Sequence, residues 1–498
     1  MVYQVPHFFD GKFQLITNTE SRLITNPAIG EPIGEVFYAD KNVCNKAIEA
    51  AARAFHPWSE TPPVKRARIL FKFRELLEKH TDEIAALVTQ EHGKTIDDAK
   101  GSIARGIEVV EHHCGILTQL QGQYSNNVAQ HIDTFTMHQP LGVCVGVSPF
   151  NFPVMVPIWM MIPAIACGNT FILKPSEQNP STPNRLVELL QEAGMPDGVV
   201  NIVHGDKKTV DLLLRAPEVQ AFTAVASTPV AEYIYKTATA NGKRAHTFGS
   251  AKNHCLVMPD ADMDFSAKAI AGAAYGSAGE RCMAISVVVA VGEETADTLI
   301  KKLTPEIEAI RIDAGDADAV DMGPLISGPH RQRIIDAIQI GVDEGASLLK
   351  DGRNYQHPKY PSGFFLGPCL FDNVTEDMSV YQNELFGPVL IIVRVPDFES
   401  AIELVNRNQY GNGTAIFTKD GFSAREYAER VQVGMVGINI PIPVPVAAHP
   451  FGGWKRSSFG DTNMHGEESV HFYTRRKTIT QRWPETSLAE SSYTMPTH

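Results

Sequence analysis

The sequence predicts an α/β protein of two lobes, each built on a parallel sheet, with a small separate β element, and three observations predict it. Short apolar runs alternate with amphipathic helical patterns along most of the chain, the pattern of strands joined by crossover helices. The alternation starts afresh after about residue 250, and 498 residues are too many for one small core. Two polar, alternating stretches, "NVAQHIDTFTMHQ" (127–139) and "VHFYTRRKTITQR" (470–482), stand apart from any crossover helix and read as extended strands.

Helical spacing is clear in "KNVCNKAIEAAARAFHPW", where Asp40 is placed to cap the first turn, and in "VKRARILFKFRELLEKHTDEIAALVTQEHG", which His80 and Thr81 divide into two helices. From Gln139 to Leu173 no side chain is charged, a length that would span a bilayer. Four prolines (149, 153, 157 and 163) would leave backbone groups unpaired in lipid, so the segment is read as buried core: strand 141–147, loop, helix, strand 170–173. "NPSTPNRLVELLQEAGMPDGVVNIVHG" follows as helix, turn and strand, then "VQAFTAVAS" as strand and "TPVAEYIYKTATANG" as helix. In the second half "SVVVAV" precedes a helix near 294–307, "PVLIIVRV" precedes "DFESAIELVNRNQ", and "TAIFT" precedes "SAREYAERVQ". The two stray strands would have unpaired edges, which points to a contact between subunits.

The formal net charge of −13 argues against a nucleic-acid partner or a polybasic membrane anchor. Seven dispersed cysteines without Cys-x-x-Cys spacing suggest neither disulfides nor a metal knuckle, and they fit a reducing, cytoplasmic compartment. No metal site is expected.

One cysteine has a stronger claim to chemistry than the rest. Cys282 in "AGERCMA" follows Arg281, which would favour a thiolate, and the small residues of "GAAYGSAG" before it allow backbone to approach a ligand. Asn151, enclosed by aromatics and prolines in "SPFNFP", is placed either to donate to an oxyanion formed when a thiolate attacks a carbonyl or to make an Asx-type turn. Lys174 ends a strand and Glu177 follows in the turn, at the sheet edge where open α/β folds bind ligands. The pair suits a ribose diol, and the carboxylate would repel a 2′-phosphate, which favours NAD over NADP. No G-x-G-x-x-G occurs; Ser227, before a helix whose N–H groups would receive a diphosphate, is the nearest substitute.

Taken together these residues resemble the aldehyde dehydrogenase family, from about residue 5 to 482. "PFNFP" is similar to the family's oxyanion loop (Phe150, Asn151), "KPSE" to its adenosine-ribose site, "AGERCMA" to its nucleophile segment, "NELFGPVL" to the segment whose Glu384 and Phe386 contact the nicotinamide ribose and ring, and "PFGGWK" to its late catalytic motif. The resemblance implies a Rossmann-like NAD-binding domain (1–123 and 142–249), a catalytic domain (250–461), an oligomerisation arm (124–141 and 462–484) and a C-terminal tail (485–498), assembled as a homodimer or homotetramer.

Departures from the family pattern narrow the expected activity. Members that hydrolyse their thioester carry a glutamate roughly 35 residues before the cysteine, whereas "AHTFGSAKNHCLVMPD" has Thr247 or Phe248 there, two positions also expected to border the cofactor. Without a base, water is poorly activated, and a thiol, which ionises far more readily, becomes the better acceptor. The text resembles the CoA-acylating branch, which oxidises malonate or methylmalonate semialdehyde with loss of carbon dioxide. Its two carboxylate-binding arginines correspond to Arg105 and Arg281. A small aldehyde and CoA are therefore the expected partners; the alternative is a hydrolytic enzyme drawing a base from Glu384 or Glu280.

Overall fold

The computed structural model describes residues 3–483; Pro484 of the expected arm and the expected tail 485–498 lie outside the described residues. An eight-stranded sheet organises the first half. Its centre is five parallel strands in the order Arg244–Phe248, Val219–Val225, Val143–Val147, Thr170–Lys174, Val200–Ile202, with the antiparallel strands Ser458–Phe459 on one edge and His7–Phe9 then Lys12–Gln14 on the other. A seven-stranded sheet organises the second half: Ser347–Lys350, Cys369–Asp372, Val389–Val395, Ile285–Val291, Asn253–Val257, Gly413–Phe417, Met435–Ile438, parallel except for the first.

The uncharged segment is a buried strand, loop, helix and strand, as its prolines require. Helix Met155–Ala166 is buried at every one of its 12 residues, and among the described residues no helix is long and apolar enough to cross a membrane. A charge anywhere on that helix would be enclosed by core, which accounts for the composition. Helix Lys41–Ser59 begins where expected, the Asp40 carboxylate accepting the Val43 N–H at 2.9 Å, a cap worth about 1 kcal/mol. Helices Pro63–Lys79 and Thr81–His92 divide at His80.

Two readings are corrected. The stretch 470–482 is not one strand: Gly466–Tyr473 is a helix and the strand is Thr474–Arg482. Ser469, Val470, Phe472 and Tyr473 are all buried, a pattern that no two-residue period accommodates, and the Thr474 hydroxyl donates back to the Val470 carbonyl as in a helix. The stretch 127–139 spans a hairpin, Tyr124–Ala129 with Ile132–Pro140, turning through His131 at φ 61°. Ile132–Pro140 then pairs residue for residue with Thr474–Arg482, forming a three-stranded antiparallel sheet apart from the two large ones. Early strands at Tyr3–Val5, Ser21–Asn26 and Glu31–Phe37 carry too few apolar residues to announce themselves.

Candidate active site

Cys282 lies on the loop between helix Met263–Tyr275 and strand Ile285–Val291, and the backbone leading to it is held in an uncommon shape. Ser277, Ala278 and Gly279 have φ of 54°, 51° and 73°, three successive left-handed residues. A side chain at Gly279 would place its Cβ 2.1 Å from the Gly387 carbonyl oxygen. The small residues before the cysteine therefore admit neighbouring protein, Gly387 and the Arg281 guanidinium, where the sequence suggested a ligand. Asn253 and Asn412 each donate a side-chain N–H to the Cys282 carbonyl, at 2.8 and 3.0 Å.

The thiol opens onto a cleft of ≈ 420 Å³ that runs to Lys174 and Glu177 between the two large sheets. Eight residues expected from the sequence line it: Phe150, Asn151, Lys174, Glu177, Ser227, Cys282, Glu384 and Phe386. Asn151 sits on the loop after strand Val143–Val147. Buried Lys94 donates to its backbone carbonyl at 2.7 Å, Asn179 donates to the Phe150 carbonyl at 2.5 Å, and the Asn151 amide donates one N–H to the Glu280 carbonyl at 3.0 Å. The loop is thus fixed at both residues, and among the described residues no partner takes the second amide N–H.

Lys174 donates to the Glu177 carboxylate at 3.1 Å, and Arg22 approaches its other oxygen at 3.4 Å. Burial would raise the Glu177 carboxyl, but Lys174, a backbone hydrogen bond and Arg22 outweigh it and leave it below the usual value, so the residue is ionised at neutral pH. The Glu384 carboxylate accepts the Ala251 N–H at 2.9 Å, and burial raises its pKa. Phe386 has φ 59°, its carbonyl accepting a bond from His330 Nε2 at 2.8 Å.

Ser227 takes the first-turn position before helix Thr228–Ala240, but its hydroxyl makes no capping bond. Thr228 N–H is bound by Ser250 Oγ at 3.2 Å, Pro229 has no N–H, and the Val230 and Ala231 N–H groups both donate to the Ser227 carbonyl. The expected row of free donors narrows to the N–H and hydroxyl of Ser227 itself.

Thr247 and Phe248 are corrected as cofactor contacts. Both are buried in strand Arg244–Phe248, Thr247 donating its hydroxyl to the Ala231 carbonyl at 2.9 Å, and the cleft is bordered instead by the next two residues, Gly249 and Ser250. Arg281 pairs with Asp98, and the charge opposing the rise of the thiol comes from Lys94. Burial pushes the Cys282 thiol up to about 12, with Glu384 adding to the rise and Lys94 and the Cys282 and Met283 backbone groups opposing it. Arg105 spends its guanidinium on Glu108 and on the carbonyls of Val444 and Pro445 in the proline-rich loop. Neither arginine lines the cleft.

Glu280, the other candidate base, is wholly buried. Its carboxyl accepts the Ile326 N–H at 3.2 Å between His92 and His330, burial raising its pKa and lowering that of both histidines, so the cluster is neutral; His330 borders the cleft, and Glu280 and His92 do not. Lys94, Asp98, Ser250, His330 and Arg333 were not singled out from the sequence. Each sits in a helical or turn pattern where a charged or polar residue is ordinarily solvated, and no local signal distinguishes them.

Comparison with known proteins gives the family and the fold. A model of the aldehyde dehydrogenase family matches residues 16–479. The malonate-semialdehyde dehydrogenase of Pseudomonas aeruginosa is 53% identical over 486 residues, covering 98% of each chain. The crystal structure of methylmalonate-semialdehyde dehydrogenase from Oceanimonas doudoroffii has a TM-score of 0.96 at 50% identity, covering 98% of this chain and 99% of that one. An NAD-complexed Sinorhizobium meliloti structure assigned to methylmalonate-semialdehyde dehydrogenase has a TM-score of 0.97 at 51% identity, with the same coverage.

Proposed function

The chain belongs to the aldehyde dehydrogenase family, and from that premise we propose that it oxidises malonate or methylmalonate semialdehyde to acetyl-CoA or propionyl-CoA, with NAD as oxidant and CoA as acyl acceptor. The observation that carries the reading is the pair of neutral, buried side chains at Thr247 and Phe248, where a hydrolytic member would hold a general base, next to a cleft that opens on Cys282.

The cleft fits NAD through an ionised Glu177 and Lys174 for the adenosine ribose, the N–H and hydroxyl of Ser227 for the diphosphate, and Glu384 and Phe386 for the nicotinamide end. Bound there, NAD accepts a hydride. The Cys282 sulfur adds to the aldehyde carbon as its proton leaves, and the oxyanion that results is received by the free Asn151 N–H and the Cys282 backbone N–H. The substrate carboxylate is assigned to Arg281, next to the nucleophile in the chain, whose guanidinium keeps donors beyond its pair with Asp98, while Arg105 is committed to Glu108 and to the Val444 and Pro445 carbonyls. Loss of hydride leaves an acyl thioester on Cys282. Its β-carboxylate departs as carbon dioxide, the electron pair passing into an enolate conjugated with the thioester carbonyl, and a proton restores the acyl group. The CoA thiolate then attacks and releases the Cys282 thiolate.

The eight-stranded half serves as cofactor domain, the seven-stranded half supplies the nucleophile, and the hairpin sheet with strand Thr474–Arg482 joins subunits of a homodimer or homotetramer. That strand is a mostly exposed edge of nine residues, the kind of edge that a partner covers.

Glu384 is the feature that favours a second reading, since it borders the same cleft and raises the pKa of Cys282. Product analysis with malonate semialdehyde and NAD, with and without CoA, decides between the two. Acetyl-CoA formed only with CoA supports thioester transfer, whereas free acid released at full rate without CoA makes Glu384 a hydrolytic base.

A further inference from the structure

Arg281 has one side-chain partner among the described residues, Asp98, which its terminal nitrogen meets in a short ion pair. A guanidinium has five N–H donors, so the rest of its fork is uncommitted. Two further contacts make this pairing more than a surface salt bridge. Asp98 also faces the ammonium of Lys94 at 3.3 Å, and that lysine, fully buried, donates to the Asn151 carbonyl and lies 4.2 Å over the Phe152 ring. On the other side the guanidinium lies where a Gly276 side chain would be: a Cβ there would come within 2.5 Å of one terminal nitrogen and 2.8 Å of the central carbon.

The charge arrangement has a chemical consequence. Two cations, Lys94 and Arg281, share one anion, which leaves a net positive charge suited to a single further carboxylate. Burial would raise the Asp98 carboxyl, yet the two cations hold it well below the usual range, so it is ionised at any working pH. Asp98 comes from the first turn of helix Ile96–Cys114, where its own N–H donates to Thr95 Oγ1 at 3.1 Å, so the anion is mounted on a rigid element. Arg105 lies seven residues on, two turns along the same face of that helix.

We propose that Asp98 is a positioning residue that, with the bare Cα of Gly276 as a seat, orients the Arg281 guanidinium and thereby sets the preference for an aldehyde carrying a carboxylate over an uncharged one. The proposal rests on the reading that Arg281 receives the substrate carboxylate. A guanidinium freed from Asp98 spreads over several rotamers and loses the bidentate geometry that a carboxylate needs. An uncharged aldehyde makes no use of that geometry.

The test compares kcat/KM for malonate semialdehyde and for propanal, with NAD and CoA, in the full-length enzyme. Asp98→Ala is expected to lower the ratio of the two at least tenfold, mainly through KM for the semialdehyde, and Asp98→Asn, which keeps one acceptor oxygen, at least threefold. Gly276→Ala is the second route: its φ of −54° accepts any residue, so the chain folds, but the new methyl displaces the guanidinium and the ratio falls with Asp98 intact. Arg281→Gln is the reference. If it collapses the ratio, and Asp98→Ala adds no further loss of the ratio in that background, Asp98 acts through Arg281. A ratio that keeps its wild-type value in Asp98→Asn and Gly276→Ala while Arg281→Gln collapses it overturns the role of Asp98 and leaves Arg281 in place. An unchanged ratio in Arg281→Gln overturns the underlying reading itself. A proportionate loss on both substrates in the Asp98 variants, which a purely structural role would produce, also counts against the proposal.

Discussion

Replacing Asn151 by alanine should separate catalysis from stability. In the resting structure its amide gives one N–H to the Glu280 carbonyl at 3.0 Å, so truncation leaves one buried acceptor without that donor, a cost of about 1–2 kcal/mol in stability. The second N–H has no partner among the described residues, and in the proposed mechanism it is the one whose partner develops as negative charge builds on the aldehyde oxygen. Loss of a single such donor costs about 3 kcal/mol of transition-state stabilisation, or about 150-fold in rate at 1.36 kcal/mol per factor of ten. The Cys282 N–H remains, so some rate survives. Rapid-mixing measurement of NADH formation under single-turnover conditions reads the step directly, with KM for the aldehyde nearly unchanged. Asn151→Asp should be slower still, since it sets a carboxylate against the oxyanion. A loss in Asn151→Ala smaller than about fivefold would refute the assignment, because it lies below what one charge-stabilising donor contributes.

The thiol of Cys282 in the free enzyme offers a pH test. Burial and Glu384 raise its pKa to about 12, so the neutral form is favoured and the reactive thiolate appears as pH rises. Alkylation by iodoacetamide should climb about tenfold per pH unit from about pH 7 to 9 without a plateau, faster throughout in Glu384→Gln, and a plateau below about pH 8 would contradict the assignment. Gly279→Ala combines a left-handed φ of 73° with a Cβ 2.1 Å from the Gly387 oxygen. Together these cost about 2–5 kcal/mol, so the variant should melt earlier and lose turnover, while wild-type melting and rate would show that the loop does not hold the sulfur in place.

Sequence and structure divide this protein along a physical line. Period and composition are local, so the alternation of strands and helices, the burial of the uncharged segment and the division at His80 were legible residue by residue. The same holds for Asn151, Lys174, Glu177 and Cys282, because each lies at a strand end or on a loop whose neighbours are unusual in themselves, whereas Glu384 and Phe386, which line the same cleft, were legible only through the resemblance of "NELFGPVL" to the family. The helix Gly466–Tyr473 was misread because four buried residues among five blur the difference between periods of two and 3.6.

What a side chain pairs with is decided by the packing of distant segments. Asp98 and Arg281 are 183 positions apart, Lys94 and Asn151 are 57 apart, and nothing in "GKTIDDAK" says which of its charges leaves solvent. The turning of Thr247 into helix Thr228–Ala240, the burial of Glu280 beneath the cleft and the commitment of Arg105 to the loop at Val444 have the same origin. The sequence by itself determined the elements and the chemical groups that meet at one edge of a sheet, because those depend on spacing along the chain. Only the tertiary structure decided which charges are neutralised and which way each donor faces, because electrostatic and hydrogen-bond partners are set by distance in space.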